Sequence, residues 1–194
     1  MRHEFVNERP VAIDPGLPSK IQSAIVVTDL GAATVENLEV HLDITHTWTG
    51  DLRIKLFSPD GTEVVLVDRR GGSRDDFRNT LFRADAQTSI TAGRPPFRGT
   101  FRPEGDLLAL KGKVAQGSWV LQVEDTAQQD GGALNRWALG LDTNVVATSP
   151  FTIDVRFLGG LSPTQQAAFA HAAQRWAHII TGDLPPATVE GVLI

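Results

Sequence analysis

Cysteine is absent from the 194-residue chain. That excludes a disulfide framework and any thiolate metal centre. It leaves the compartment open, since a cysteine-free chain suits an exported bacterial protein or a cytosolic one. No run of 18 apolar residues occurs, so no membrane-spanning helix is expected. The opening Met1-Arg2-His3-Glu4-Phe5 has no apolar stretch and does not read as a signal peptide. Basic charge is in deficit. Lys and Arg number 18 against 23 Asp and Glu, for a net charge of −5, which makes nucleic acid a poor partner. Neither a Gly-x-Ser-x-Gly elbow nor a His-Glu-x-x-His helix is present, so no serine triad or zinc peptidase site is expected. His171 and His178 share a helix face but lie about two turns apart, too far to hold one zinc ion by themselves.

What is present is a turn-rich chain with a real core. Glycine (18) and proline (11) mark many turns, and 41% of the residues are hydrophobic. Leu42 and Ile44 alternate with polar neighbours, as do Leu52, Ile54 and Leu56, at the period of half-buried strands. Thr49-Gly50-Asp51 breaks the first run, and Ser58-Pro59-Asp60-Gly61 turns the second. Further strands are expected over residues 21–28, 35–44, 63–67, 117–123 and 132–141. A loop-rich stretch runs from Asp68 to about Leu107. Short strands at this spacing predict an all-β fold, a sandwich or a jelly roll.

The pattern changes after Asn144. Residues 1–20 read as a lead-in segment with at most one short strand, 21–144 as the sandwich, and 145–150 as a linker. Residues 151–194 read as the strand and helix that start a second, truncated domain. Phe151 to Phe157 alternates as a strand. Ser162, Pro163 and Gln165 then form a helix start, with Ser as N-cap and Gln at N3. Phe169, Ala172, Ala173, Trp176 and Ile180 fall on one face, and Gly182 is placed to end the helix. One strand and one amphipathic helix cannot bury that face alone.

Five motifs in order carry a family resemblance from about Ser19 to Leu141. They are His46-Thr47-Trp48-x-Gly50-Asp51-Leu52 with Ser58-Pro59-Asp60-Gly61-Thr62; Arg70-Gly71-Gly72 with Phe77-x-Asn79-Thr80-x-Phe82; Pro96-Phe97-x-Gly99-Thr100-Phe101-x-Pro103-Glu104-Gly105; Gly117-Ser118-Trp119-Val120-Leu121-Gln122-Val123-Glu124-Asp125; and Asp130-Gly131-Gly132-x-Leu134-x-x-Trp137-x-Leu139. Together they resemble the P domain, or P/Homo B domain, of proprotein convertases, in its bacterial form. The resemblance implies a jelly-roll-like β-sandwich beside a secreted endopeptidase, which it stabilises, docks to or modulates. It also implies a protease catalytic domain in cis as partner, an extracellular location and no chemistry of its own. We expect a monomer. The tail, from Phe151 through Arg175-Trp176 to Leu184-Pro185, resembles the entry segment of secreted metalloproteases related to leishmanolysin. Together the two resemblances imply a fragment of a longer endopeptidase.

Calcium is the one cofactor kept in view. Asp43, Asp51, Asp125 and Asp130 stand at strand ends or in loops, where a hard cation finds carboxylate and carbonyl oxygens. The alternative is that Asp51 and Asp130 simply fix their turns as Asx residues do. His46 is expected to be structural, bonded to the turn that ends in Asp51. His41 is expected on a solvent face. Trp48, Trp119 and Trp137 raise a carbohydrate- or matrix-binding alternative. Trp119 and Trp137 alternate with core positions, however, which leaves Trp48 as the exposed ring. Arg69, Arg70, Arg74 and Arg78 form a basic run, read as a solvated loop or as a dock for an acidic surface.

Overall fold

The computed structural model describes residues 1–144 apart from Leu17, and in the tail residues 153, 155, 157, 160, 162–179, 188–189 and 192–193. The chain divides into two compact units, Met1–Val145 and Val146–Ile194.

The first unit is a β-sandwich. One sheet holds β1 (Arg2–Asn7), β2 (Val11–Ile13), β4 (Val35–His46), β7 (Phe77–Arg83), β8 (Phe97–Phe101) and β10 (Gly132–Thr143). Its order is β1-β10-β4-β7-β8, with β2 also paired to β10. The other sheet is β3 (Ser19–Val27), β9 (Gly117–Asp125), β5 (Leu52–Phe57) and β6 (Glu63–Asp68), in that order. Every pairing is antiparallel except β7 with β8.

The alternation in the sequence is what divides each strand between core and surface. In β5, Leu52, Ile54 and Leu56 are buried, while Arg53, Lys55 and Phe57 are only partly covered. In β4, Val40, Leu42 and Ile44 face inward, and His41, Asp43 and Thr45 are partly exposed on the other face. Trp119 and Trp137 are both fully buried. Each indole N–H finds an acceptor, Ala115 O at 2.8 Å and Ser23 Oγ at 2.9 Å, so each ring can be buried without an orphaned donor. Each such aliphatic side chain contributes about 1.5–3 kcal/mol on burial.

Two parts of the unit differ from the sequence reading. Residues 1–20 are more than a lead-in, because they supply β1 and β2, which lie end to end along β10. The loop-rich stretch after Asp68 contains β7 and β8 and short 3-10 turns at Ile90–Ala92 and Leu107–Leu110. Phe77, Phe82, Ile90, Phe97, Leu107 and Leu110 anchor it in the core. Asn79 and Gly99 adopt positive φ (49° and 105°), which interrupts the alternation that would have marked these strands.

In the second unit, α1 (Pro163–Ile179) begins at the expected capping box. Ser162 N donates to Gln165 Oε1 (2.9 Å), and Gln165 N donates to Ser162 Oγ (3.4 Å). The Phe157 and Phe169 rings meet edge on at 6.2 Å. A small ribbon of β11 (Thr188–Val189) and β12 (Val192–Leu193) follows. Of the strand expected at 151–157, Ile153, Val155 and Phe157 are described, and none is in a strand. The linker 145–150, Ile180, Gly182 and the side chains of His171 and His178 lie outside the described residues.

Candidate functional site

The motif residues gather where β4 ends, β5 begins and β9 gives way to the loop before β10. Gly132 pairs opposite His46. A Cβ there would fall on the Thr45 carbonyl oxygen and come within 3.0 Å of His46 Cα, so only glycine lets β10 close on this end of β4.

His46 points inward. Its Nε2 lies 3.1 Å from Asp125 Oδ2, and both side chains are fully buried. Its Nδ1 lies 3.2 Å from Trp48 N and 3.0 Å from Trp48 O. A carboxylate cannot donate, so Nε2 carries the proton and donates to Asp125. The other oxygen, Asp125 Oδ1, accepts from Ala127 N at 3.1 Å. Both ring nitrogens and both carboxylate oxygens are therefore used, as buried polar groups require.

The turn after His46 is clamped from two sides. His46 N donates to Asp76 Oδ1 (3.0 Å), and Asp76 N returns a bond to His46 O (3.1 Å). Asp76 O also accepts from Phe97 N (3.0 Å), so this one residue ties β4 to β8. It does so at a φ of +71°, which a non-glycine residue holds only when its bonds impose it. Thr49 N and Oγ1 both donate to Arg74 O (2.8 and 2.9 Å). Gly50 N donates to Gly72 O (3.0 Å), where a Cβ on Gly50 would meet Gly72 Cα at 2.8 Å. On the other side, Thr126 N and Oγ1 donate to Asp51 O (3.0 and 2.9 Å).

Three of the four candidate aspartates come to this end. Burial pushes the Asp51 carboxyl above its ordinary value. The charges of Asp125 and Asp130 push it further, against a smaller opposing effect of His46. Asp130 Oδ1 accepts from Thr47 Oγ1 at 3.1 Å. Asp43 lies apart, on the partly exposed face of β4, and accepts from Asn135 Nδ2 at 3.0 Å. Calcium takes six to eight oxygens. Asp125 is buried with each oxygen engaged, by His46 and by Ala127, and Asp43 is bonded to Asn135, so the four are not arranged as one ligand set. Among the described residues, no group of three or more His, Asp or Glu is spaced to hold a metal ion. Asp51 and Asp130 have no basic partner among the described residues.

The basic run is mostly neutralised. Arg70 grips Glu104 with two bonds (3.1 and 2.6 Å), Arg78 grips Asp76 (2.8 and 2.6 Å), and Arg69 reaches Asp68 (3.2 Å). Arg74 has no acidic partner among the described residues. His41 is partly exposed beside Glu39, and burial holds its pKa below the ordinary value. Trp48 is 43% exposed, whereas Trp119 and Trp137 are enclosed, so of these three rings Trp48 alone reaches the surface.

The His–Asp pair resembles part of a hydrolytic triad only in composition. It is sealed from solvent and its nitrogens are committed, so it cannot take a proton from a nucleophile. Its role is to hold the turn. The sequence placed His46 against the turn but assigned Asp125 to cation binding, and it missed Asp76. The signal for the pair was that His46 opens one motif and Asp125 closes another.

The family model for the proprotein convertase P-domain matches residues 35–141. A "calcium-dependent protease" of Nostoc sp. is 32% identical over 140 residues, which cover 71% of this chain and 18% of that protein. "Leupeptin-inactivating enzyme 1" of Streptomyces exfoliatus is 30% identical over 135 residues, or 70% of this chain and 25% of that protein. The chain thus spans a quarter or less of these relatives. A solved serine protease of Aeromonas sobria aligns over 64% of this chain and 27% of its own, at 22% identity and a TM-score of 0.34.

Proposed function

Since the chain belongs to the proprotein convertase P-domain family, we propose that it is a non-catalytic module that stabilises and docks to an endopeptidase domain of the same polypeptide. The observation that carries this reading is the sealed His46–Asp125 pair. The residues most like catalytic machinery are spent on holding a turn. Relatives named as proteases, of which this chain matches a small part, support the same reading.

The mechanism is linkage. A module that binds the folded form of its neighbour and not the unfolded form adds that binding free energy to the neighbour's stability. Burial of apolar surface at the junction supplies most of it. The test is thermal inactivation of the parent protein with and without residues 1–145. The deletion should lower the inactivation temperature of the endopeptidase, and unchanged inactivation would sink the reading.

Two finer readings go with it. The module works outside the cell, as one copy per protease. It also responds to calcium, a reading supported by the name of the Nostoc relative and by the unbalanced charge at Asp51. The ion would be held by Asp51 and Asp130 with carbonyl oxygens of the adjoining loops, and it would supply the positive charge that this end lacks. Asp43 and Asp125 are not needed as ligands.

A further inference from the structure

Beside the His46 turn lies an open pocket of about 560 Å³. Its lining includes Arg74, Asp75, Asp76, Arg78, Pro96 and Arg98. We propose that this pocket receives a carboxylate side chain from an acidic peptide segment, bound between Arg74 and Arg98. The proposal rests on the docking reading above and deepens it by naming the face and the chemistry of the partner.

Three observations carry it. The first is charge that the fold does not use. Arg78 is consumed by Asp76 with bonds of 2.8 and 2.6 Å. Arg74 and Arg98 are exposed and have no acidic partner among the described residues. In a chain of net charge −5, two such arginines on one pocket are a local exception.

The second is rigidity. The Arg74 carbonyl is gripped twice by Thr49, and Asp76 is bonded to both His46 and Phe97. Gly71, at φ +103°, is packed so closely on Thr49, Pro95 and Phe97 that no larger residue fits. The loop therefore offers its guanidinium from a fixed base, which lowers the entropy lost on binding. Three non-glycine residues of this region, Arg69, Asp76 and Asn79, also hold positive φ. Strain of that kind concentrates at binding sites.

The third is charge balance, which selects the ligand. Three arginines and two aspartates line the pocket, leaving one net positive charge. A carboxylate neutralises it, whereas a phosphate dianion would leave an excess facing Asp75 and Asp76. The planar guanidinium fork suits a carboxylate. The volume suits a short stretch of chain.

The experiment uses the full 194-residue chain and follows its backbone amides by NMR. The probe is a blocked hexapeptide of glycine with one central glutamate, and its controls carry glutamine or phosphoserine in its place. The glutamate peptide should shift the amides of residues 73–78 and 96–99 and bind more tightly than either control. Arg74→Ser with Arg98→Ser should weaken it about tenfold, while Arg9→Ser, outside this pocket, should not. Equal binding of the glutamine peptide, tighter binding of the phosphoserine peptide, absence of binding at millimolar concentration or indifference to the double substitution would each overturn the assignment. The same double substitution in the parent protein separates the two readings. If deleting residues 1–145 destabilises the protease but the arginine substitutions do not, docking stands and this pocket is not the dock. If the deletion has no effect, docking itself is wrong.

Discussion

Two turns at opposite ends of β5 carry one aspartate each, and their electrostatics are opposite. At the far end, Asp60 accepts from Lys113 Nζ (2.6 Å), Ser58 Oγ (2.6 Å) and Thr62 N (3.2 Å). Those bonds, Lys113 foremost, hold its carboxyl well below the usual carboxylate range. At the near end, Asp51 is pushed up by burial and by two neighbouring carboxylates. One turn is electrically closed and the other has charge left over. The sequence shows the same signature at both, an acidic residue beside glycine. What separates them is what the fold brings across: Lys113, 53 residues away, at Asp60, and the carboxylates of Asp125 and Asp130 at Asp51.

The comparison can be broken most forcefully at His46. His46→Ala leaves Asp125 buried without its partner, at a cost of about 3–5 kcal/mol. Denaturant unfolding should show a large fall in midpoint. Lys113→Ala, at the closed turn, removes a solvent-exposed partner and should show a far smaller one. Equal losses would mean that the two ends are not different in kind.

Calcium comes next. An ion at ten times its Kd adds about 1.4 kcal/mol to the native state. The melting midpoint should rise on adding millimolar calcium, fall back with chelator, and cease to respond in Asp51→Asn. A response that survives Asp51→Asn would place the ion elsewhere.

The pH dependence should be smaller, with opposite signs at the two ends. The Asp51 carboxyl is raised in the fold. The native state therefore binds its proton more readily than the unfolded chain, and its destabilising effect appears as pH rises through the folded value. Asp60 is lowered, so its contribution is present above the ordinary aspartate value and is lost as pH falls below it. Melting curves between pH 3 and 6, from the range of ordinary carboxylate values, should diverge accordingly. Asp60→Asn should flatten the acid-side loss, and Asp51→Asn should remove a decline towards neutral pH. The smallest effect belongs to Trp48→Ala, within about 0.5 kcal/mol, because that ring is partly exposed on the surface.

The strands that could be read from the sequence are those with an unbroken period of two. β4, β5, β6, β9 and β10 lie where alternation places them, because each packs one face on the core. β1 was missed because no residue in it is fully buried, so its pattern is faint. β7 and β8 were missed because positive φ at Asn79 and Gly99 breaks the period. The candidate site was half legible. His46 and Asp51 lie in one motif and could be read as a turn. The bond from His46 to Asp125 spans 79 residues, and the bond to Asp76 spans 30. Neither leaves a local trace. Asp43 was grouped with the other aspartates because it neighbours the motif, yet strand alternation turns it outward.

The pairing of β1 with β10 bears on how the molecule is made. Met1 donates to Thr143 across 142 residues, and the whole of β1 is matched to Asp142–Trp137. A ribosome releases the first strand long before its partner exists. β1 must wait, unpaired, until nearly the entire sandwich has emerged, so the sheet closes late and cooperatively. Loop closure of that span favours slow folding, and the waiting edge is a surface that a chaperone would have reason to cover.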